Sequence, residues 1–369
     1  MNGLIMCTDE CNLRCTYCFE ESMHTDCIKP LSSIRKDFSF FIDNYLDKYV
    51  RELIDINKEL NKTETHITFH GGEPLLVGSE LLRRGFEIVS QYRNTVISIQ
   101  TNGTLINDEL IDLFKEYTVH VGVSLDGPEY MHDAYRKDAG GQGTYQRLMT
   151  NIKKMQEKGV IVGALATVTD VSVKEPDTFY RFFVDNHLEF SFNPCFTDPN
   201  LPSSYKVLNT SEYIDFYKRM FDLWVNDNSN NISINCFERI ISAMAVKKKV
   251  WMEVCSFIPD CSQTTVAINT KGDFFRCLHY CMDGKHIIGN IACDPLSIAV
   301  GDPAFSERWK HLKQSACKEC DIQDYCCGGC PYVAEAENGT ILSRANTCLS
   351  QKAIVHHIYD YLLKYQKKQ

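Results

Sequence analysis

The stretch Cys11-Asn12-Leu13-Arg14-Cys15-Thr16-Tyr17-Cys18 sets three cysteines on one short loop, with three and then two residues between them. Three thiolates so spaced can ligate three irons of a 4Fe–4S cluster and leave the fourth iron without a protein ligand. Cys7 also stands ahead of Cys11 at the same spacing, but that register would place its third cysteine where Arg14 is. Zinc would need four ligands, and this loop supplies three. An open iron can chelate a small molecule and pass it an electron, so the stretch reads as a redox centre built to react.

The loop follows a β-rich run at residues 3–7, which opens a repeating pattern. Further strands are expected at 66–70, 96–100, 119–124, 160–168 and 189–193. Helical periodicity covers 38–60, 80–91, 108–117, 145–158 and 177–186. Repeated strand-then-helix order implies parallel strands joined by right-handed crossovers. Six strands are too few for a closed eight-fold barrel. The fold class expected is α/β, a partial (β/α)6 barrel with its site at the C-terminal strand ends.

Residues 194–202 hold three prolines and read as a boundary loop, followed by helical segments at 212–225 and 237–248. Beyond Val250 the texture changes: of 18 cysteines, eleven fall from Cys255 onward. Periodicity is weak there, apart from a hairpin turning near Lys271-Gly272-Asp273 and an amphipathic helix at 354–365. The expected organisation is a barrel at 1–200, a helical bridge at 201–250, a domain held by metal at 251–350 and a C-terminal helix at 351–369.

No stretch reaches the roughly 18–20 apolar residues of a membrane span, and Met1 to Met6 is too short for a signal peptide. The expectation is a cytoplasmic protein in which clustered cysteines bind metal rather than pair as disulfides, suited to an anaerobic cell. A net charge of -9 argues against a nucleic-acid partner. The run Lys247-Lys248-Lys249 reads as a solvated helix end, and neither nucleic acid nor membrane is expected as a partner.

Extended by Phe19, the opening stretch resembles the signature of the radical S-adenosylmethionine (SAM) superfamily, whose fold is a partial (β/α)6 barrel. The resemblance implies an oxidoreductase whose open iron, on a cluster held by Cys11, Cys15 and Cys18, binds SAM. Reductive cleavage then gives methionine and a 5′-deoxyadenosyl radical that abstracts a substrate hydrogen. Gly71-Gly72-Glu73-Pro74, after the second strand, resembles the motif for the SAM amino group. There glycines permit close backbone approach, and a carboxylate or carbonyl accepts from the ammonium. Gln100-Thr101-Asn102-Gly103 ends the third strand, with Asn102 at the SAM site, and Ser124-Leu125-Asp126-Gly127 ends the fourth. By resemblance, Ser124 and Arg136 hold the SAM carboxylate and ribose, and Tyr17 lies by the adenine.

The C-terminal cysteines resemble the SPASM module, the auxiliary-cluster domain of radical SAM maturases. Carried over by position, Cys255, Cys261, Cys277 and Cys330 would bind auxiliary cluster I, and Cys317, Cys320, Cys326 and Cys348 auxiliary cluster II. That makes three 4Fe–4S clusters, two fully ligated by protein and suited to electron transfer. Cys327 beside Cys326 leaves the ligand there open. Cys7, Cys27, Cys195, Cys236, Cys281 and Cys293 read as packed thiols. The other reading of the same spacings is a pair of zinc knuckles. A zinc-binding interaction module, or an iron–sulfur electron carrier without SAM, would leave the barrel motifs without a role.

Length and cysteine spacing resemble most the anaerobic sulfatase-maturating enzymes, which oxidise a Cys or Ser of a client sulfatase to formylglycine. Related maturases join a cysteine sulfur or an aromatic carbon to another side chain of a ribosomal peptide. The sulfatase maturases carry an Asp directly after the third cysteine of auxiliary cluster I, as proton acceptor; here that position is Leu278. Leucine cannot take a proton, which leaves His279 as the first substitute and Asp283 or His286 behind it. The expectation is therefore a thioether or other cross-link in a peptide or protein substrate, with formylglycine formation as the alternative. The resemblance implies an external electron donor of the flavodoxin or ferredoxin type. With Cys11 so near the start, leader recognition would fall to a separate leader-binding protein or to the enzyme's own surface.

Overall fold

A computed structural model describes residues 1–18, 29–195, 208–227, 232–245, 255–258, 260–323, 325–326 and 328–366. Phe19, Cys27, the 247–249 lysine run and Cys327 lie outside these residues. In chain order the barrel-forming elements are β1 (Asn2–Met6), α1 (Leu31–Phe41), α2 (Asp47–Glu59), β2 (Thr65–His70), α3 (Ser79–Ser90), β3 (Thr95–Thr101), α4 (Asp108–Glu116) and β4 (His120–Ser124). Then come α5 (Glu129–Tyr135), α6 (Tyr145–Glu157), β5 (Val162–Val168), α7 (Pro176–Asp185) and β6 (Glu189–Pro194). The remainder is α8 (Thr210–Asn226), α9 (Asn235–Ala245), β7 (Thr265–Ile268), β8 (Asp273–Phe275), α10 (Leu278–Asp283), β9 (Gly289–Asn290), α11 (Pro303–Gln314), α12 (Pro331–Asn338) and α13 (Cys348–Gln366).

The chain forms two compact units. The first comprises Met1–Leu125, His132–Gly163 and Cys261–Asp302. Its strands lie in the order β4-β3-β2-β1-β7-β8-β9. β1 to β4 are mutually parallel, and β7 adds parallel to β1, with Gly3 opposite Val266. β8 and β9 turn back antiparallel. The hairpin expected near Lys271 is present, and Asn269 Oδ1 accepts both the Lys271 and Asp273 N–H groups at 3.0 Å. Alternation along β2 sends Ile67 and Phe69 into the helix layer, where Phe69 meets Phe86 of α3 edge-on at 5.0 Å. Thr68 and His70 point to the other face and stay half-buried.

The helix expected from residue 38 begins at Leu31, behind Pro30, and passes through a π turn at Ile42–Leu46 before α2 completes it. Serines at 32 and 33 blur the apolar stripe there. The closing helix likewise starts at Cys348 rather than at 354. α10, α11 and α12 emerge in the stretch where periodicity is weak. They span 6, 12 and 8 residues, too little chain for an apolar stripe to repeat clearly.

The second unit comprises Asp126–Met131, Ala164–Asp260 and Pro303–Gln369. Its core is aromatic: Phe183 stacks on Phe190 at 4.3 Å, and Phe179, Phe192, Phe216 and Phe237 pack edge-to-face around them. α13 docks on α8 through Phe221 and Tyr361, 5.4 Å between rings, and through His357 Nε2 at 2.7 Å from Asp222. No helix among the described residues is long and apolar enough to cross a membrane.

Candidate active site

The cysteine loop leaves β1 and is held by backbone bonds to its neighbours. Cys7 N–H donates to His70 O at 2.7 Å, Gly72 N–H to Thr8 O at 2.9 Å and Glu73 N–H to Glu10 O at 2.8 Å. This approach is possible because the motif lacks side chains: a Cβ on Gly72 would sit 2.3 Å from Glu10 O, and one on Gly71 2.4 Å from Thr8 O. On its other side the loop bonds to the end of α5 and the segment after it, through Thr16 N–H to Tyr135 O at 3.1 Å and Arg14 N–H to Lys137 O at 2.7 Å. Arg14 folds back onto its own loop, donating to Cys11 O at 2.9 Å.

Asn102 joins this loop from the end of β3. Its Nδ2 donates to Asn12 Oδ1 at 2.9 Å and reaches Cys11 Sγ at 3.8 Å, and Asn12 Nδ2 donates to Thr104 Oγ1 at 2.9 Å. Leu13 N–H also points at Cys11 Sγ, at 3.4 Å. Neither Asn12 nor Thr104 was expected at the site; the Asn-Leu-Arg filling between cysteines gave no hint that its first residue ties two strand ends together.

Glu73, in the motif where a carboxylate or carbonyl is expected to accept from an ammonium group, turns its side chain inward. It is 0 % exposed, with Oε1 accepting from Thr101 Oγ1 at 2.7 Å and Leu75 N–H at 3.0 Å, and Oε2 from Asn102 N–H at 2.8 Å. Burial pushes its acid up to about 7, against the pull of those three donors. Pro74 opens a short 3-10 turn, Pro74–Val77, that this carboxylate caps.

A row of polar side chains crosses the sheet face opposite α3. Pairing puts Met6 opposite His70 on β1 and β2, and Gln100 opposite Gly122 on β3 and β4. Gln100 Nε2 donates to Ser124 Oγ at 3.2 Å. It lies over Gly122, where a Cβ would come 2.2 Å from Gln100 Oε1. His70 Nδ1 accepts the Gly71 N–H at 2.8 Å, and burial lowers its imidazole to about 4. Polar residues at alternate positions near the ends of consecutive strands were the signal that would have found this row. Tyr17 packs against Tyr135 at 5.5 Å and under the Arg136 guanidinium at 5.3 Å. A cavity of about 310 Å³ opens beside the loop, lined among others by Met6, Cys7, Thr8, Asp9, Asp273 and Cys281.

Of the substitute bases, His279 follows Leu278 in the first turn of α10. Asp283 pairs with Lys285 at 3.5 Å, and exposed His286 lies edge-on to Tyr280 at 5.0 Å. Cys281 is a packed thiol against Met6 Sδ at 3.8 Å, and burial drives it and Cys7 upward. Cys236 is pushed up to about 12 the same way. Cys195 is buried too, whereas Cys293 is exposed, 3.5 Å from the Asp294 carboxylate.

The C-terminal cysteines divide between the units. Cys261 and Cys277 lie in the first. There fully buried Arg276 donates to Cys261 O at 3.4 Å, Thr265 O at 3.3 Å and Ala299 O at 2.5 Å. Cys255 and Cys330 lie in the second, as do Cys317, Cys320, Cys326 and Cys348. Of the last four, Cys317 and Cys326 are buried and Cys320 and Cys348 half-buried, and Cys317 and Cys320 pack with Leu312 and Trp309. Among the described residues no three Cys, His, Asp or Glu side chains converge tightly enough to hold a single ion. A 4Fe–4S cubane carries iron at four alternate corners, one for each thiolate, so its thiolates stand wider apart than the ligands of one ion.

Residues 5–183 match the Radical SAM superfamily. The chain is 32% identical to the cysteine-type anaerobic sulfatase-maturating enzyme of Clostridium novyi, over 90% of this chain and 88% of that one. The chain belongs to the radical SAM superfamily. It is an iron–sulfur, SAM-binding enzyme close to the anaerobic sulfatase maturases. The structure of native anSMEcpe with bound AdoMet and Kp18Cys peptide has the same fold, with a TM-score of 0.80 at 24% identity, over 100% of this chain and 99% of that one. Streptococcus suis SuiB bound to its precursor peptide SuiA matches with a TM-score of 0.64 at 17% identity, over 94% of this chain and 75% of that one.

Membership brings a 4Fe–4S cluster and SAM, and the cysteine loop fits them. It offers three thiols, two N–H groups aimed at the Cys11 sulfur, and a glycine pair whose missing side chains keep the neighbouring strand end close. N–H donors stabilise a sulfur that becomes anionic on ligation.

Proposed function

We propose that this enzyme uses SAM and a cluster on Cys11, Cys15 and Cys18 to take a hydrogen atom from a side chain of a peptide or protein, and that the product is a thioether or other cross-link. The observation that carries the radical step is the Asn102 side chain spanning Asn12 and the Cys11 sulfur, which fixes the three-cysteine loop against the strand ends. When bound, the cluster and SAM supply a 5′-deoxyadenosyl radical on reduction.

The chain's own residues do the positioning. Backbone carbonyls around Gly71 and Gly72 would take the ammonium of SAM, because Glu73 is committed to Thr101, Leu75 and Asn102. Gln100 holds Ser124 ready for the carboxylate. Arg136 and Tyr17, already in contact, would flank the ribose and adenine. His279 is the first candidate for a proton acceptor. Residues 1–200 would carry this chemistry, followed by the bridge at 201–250. The 251–350 segment would hold two auxiliary clusters as electron acceptors, on Cys255, Cys261, Cys277 and Cys330 and on Cys317, Cys320, Cys326 and Cys348. A flavodoxin- or ferredoxin-type protein would supply electrons.

A second reading, formylglycine formation, is supported by the 32% identity to a cysteine-type sulfatase maturase. Leu278, where that group carries an acid, weighs against it. Co-expression with candidate peptides and mass spectrometry separates the two. A cross-link removes two hydrogens, whereas formylglycine replaces the cysteine sulfur with a carbonyl oxygen. Anaerobic reduced enzyme that leaves SAM intact would sink both.

A further inference from the structure

We infer that His132 and Thr144 are positioning residues for SAM: through one chain of hydrogen bonds they hold Arg136 against Tyr17, where the ribose and adenine would lie. This rests on the reading that Arg136 and Tyr17 flank SAM, and deepens it. All the residues involved lie in the first unit.

Three successive carbonyls fix the backbone from which the Arg136 side chain leaves. Those of Tyr135 and Lys137 go to the cysteine loop, where the Thr16 and Arg14 N–H groups bind them at 3.1 and 2.7 Å. The carbonyl between them, that of Arg136, goes instead to the Thr144 hydroxyl at 3.1 Å. The Arg136 N–H donates to His132 O at 2.9 Å. Both backbone polar groups of Arg136 are thus engaged, and its guanidinium rests 5.3 Å from the centre of the Tyr17 ring.

The Thr144 hydroxyl has one proton and gives it to Arg136 O. Its contact with His132 Nε2, at 3.0 Å, is then a hydrogen bond only when Nε2 carries a proton of its own. The chain therefore runs from His132 Nε2–H to the Thr144 hydroxyl to Arg136 O. His132 and Thr144 are 1 % and 2 % exposed, so water does not stand in for a lost link. Thr144 is seated in turn by Asp133, whose Oδ1 accepts the N–H groups of Thr144 at 2.8 Å and Tyr145 at 2.9 Å as α6 begins. Gly143 makes way for that carboxylate: a Cβ there would stand 2.1 Å from Asp133 Oδ2.

The test is the dissociation constant of SAM, measured by anaerobic equilibrium dialysis on the reconstituted, unreduced holoenzyme, so that nothing turns over. Iron content and melting temperature are recorded for every variant. Thr144→Val keeps the shape and loses the hydroxyl, and His132→Phe loses the Nε2–H. Each should weaken SAM about five- to tenfold at wild-type iron content. Thr144→Ser and His132→Gln restore a hydroxyl and an N–H, and should bind SAM as wild type does. A lower melting temperature with unchanged SAM affinity in both Thr144→Val and His132→Phe would overturn the inference and leave the chain a structural tie. If neither variant keeps its iron, histidine nitrogen NMR of the wild-type holoenzyme decides: a proton on His132 Nε2 supports the chain, and one on Nδ1 alone overturns it. Arg136→Met separates this from the underlying reading. It should weaken SAM at least as much as either variant, and unchanged affinity there would mean that Arg136 does not hold SAM. Weakened binding there, beside unchanged binding in Thr144→Val and His132→Phe, would count against the inference alone.

Discussion

Glu73 Oε2 accepts the backbone N–H of Asn102 at 2.8 Å, so the carboxylate of the Gly-Gly-Glu-Pro motif fastens the end of β2 to the end of β3. Thr101 and Leu75 occupy the other oxygen. Glu73 thereby sets the position of Asn102, and Asn102 in turn sets the cysteine loop. One buried acid links both halves of the site.

Glu73→Gln keeps the shape but turns an acceptor into a donor toward one of these groups, and should cost about 1–3 kcal/mol. The cost depends on pH. Burial raises the folded acid to about 7 from its ordinary 4.5. Between those values the folded chain keeps a proton that the unfolded chain has released. The wild-type residue's contribution to stability therefore falls as pH rises through that window and is level above it. Glutamine does not titrate. Urea unfolding should show a wider gap between wild type and variant near about pH 5 than near about pH 8; equal gaps would mean the acid is not buried as described.

Gly72→Ala tests the seat of the cysteine loop. The added methyl meets backbone, not a flexible side-chain end, 2.3 Å from Glu10 O. The strand end must move, at a cost of about 1–3 kcal/mol for overpacking. Iron analysis should show about four fewer irons than wild type. A variant that retains all its iron and cleaves SAM at the wild-type rate would contradict the geometry.

Much of this architecture was legible in the sequence. Six strands declared themselves because each carries Ile, Val or Phe in alternation, as in Thr65–His70 and Thr95–Thr101. The parallel pairing of β7 with β1 was not legible, since partners so distant in the chain leave no local pattern. The three-cysteine loop could be read from spacing alone. The inward turn of Glu73 could not: its burial depends on Thr101 and Asn102 arriving from another strand. Asn12 was hidden for the same reason.

Cys15→Ala addresses the radical step itself. Cys15 is buried, and its backbone carbonyl accepts the Cys18 N–H at 2.9 Å, a bond that alanine preserves. The loop should keep its course while losing one of three iron ligands. With three clusters the wild type holds about 12 irons, and the variant should hold about eight. It should release no 5′-deoxyadenosine under dithionite, as read by liquid chromatography. Wild-type cleavage by this variant would exclude the loop as the SAM site.

Leu278→Asp decides between the two products. Leu278 follows Cys277, opens α10 and is 9 % exposed. A carboxylate there enters a mostly apolar setting, and its polar burial costs about 1–3 kcal/mol, so folding is checked first by thermal melt. Formylglycine formation needs the substrate's thiol or hydroxyl proton removed after hydrogen abstraction, and a base at this position would serve that step. Cross-linking through a cysteine sulfur needs no such base once the sulfur enters as thiolate. The variant should therefore yield the same cross-linked peptide as wild type, at an equal or lower rate and with no aldehyde. Gain of a formylglycine product by Leu278→Asp, with a new limb in the pH–rate profile at the carboxylate's pKa, would show a site already shaped for sulfatase maturation and waiting only for its base.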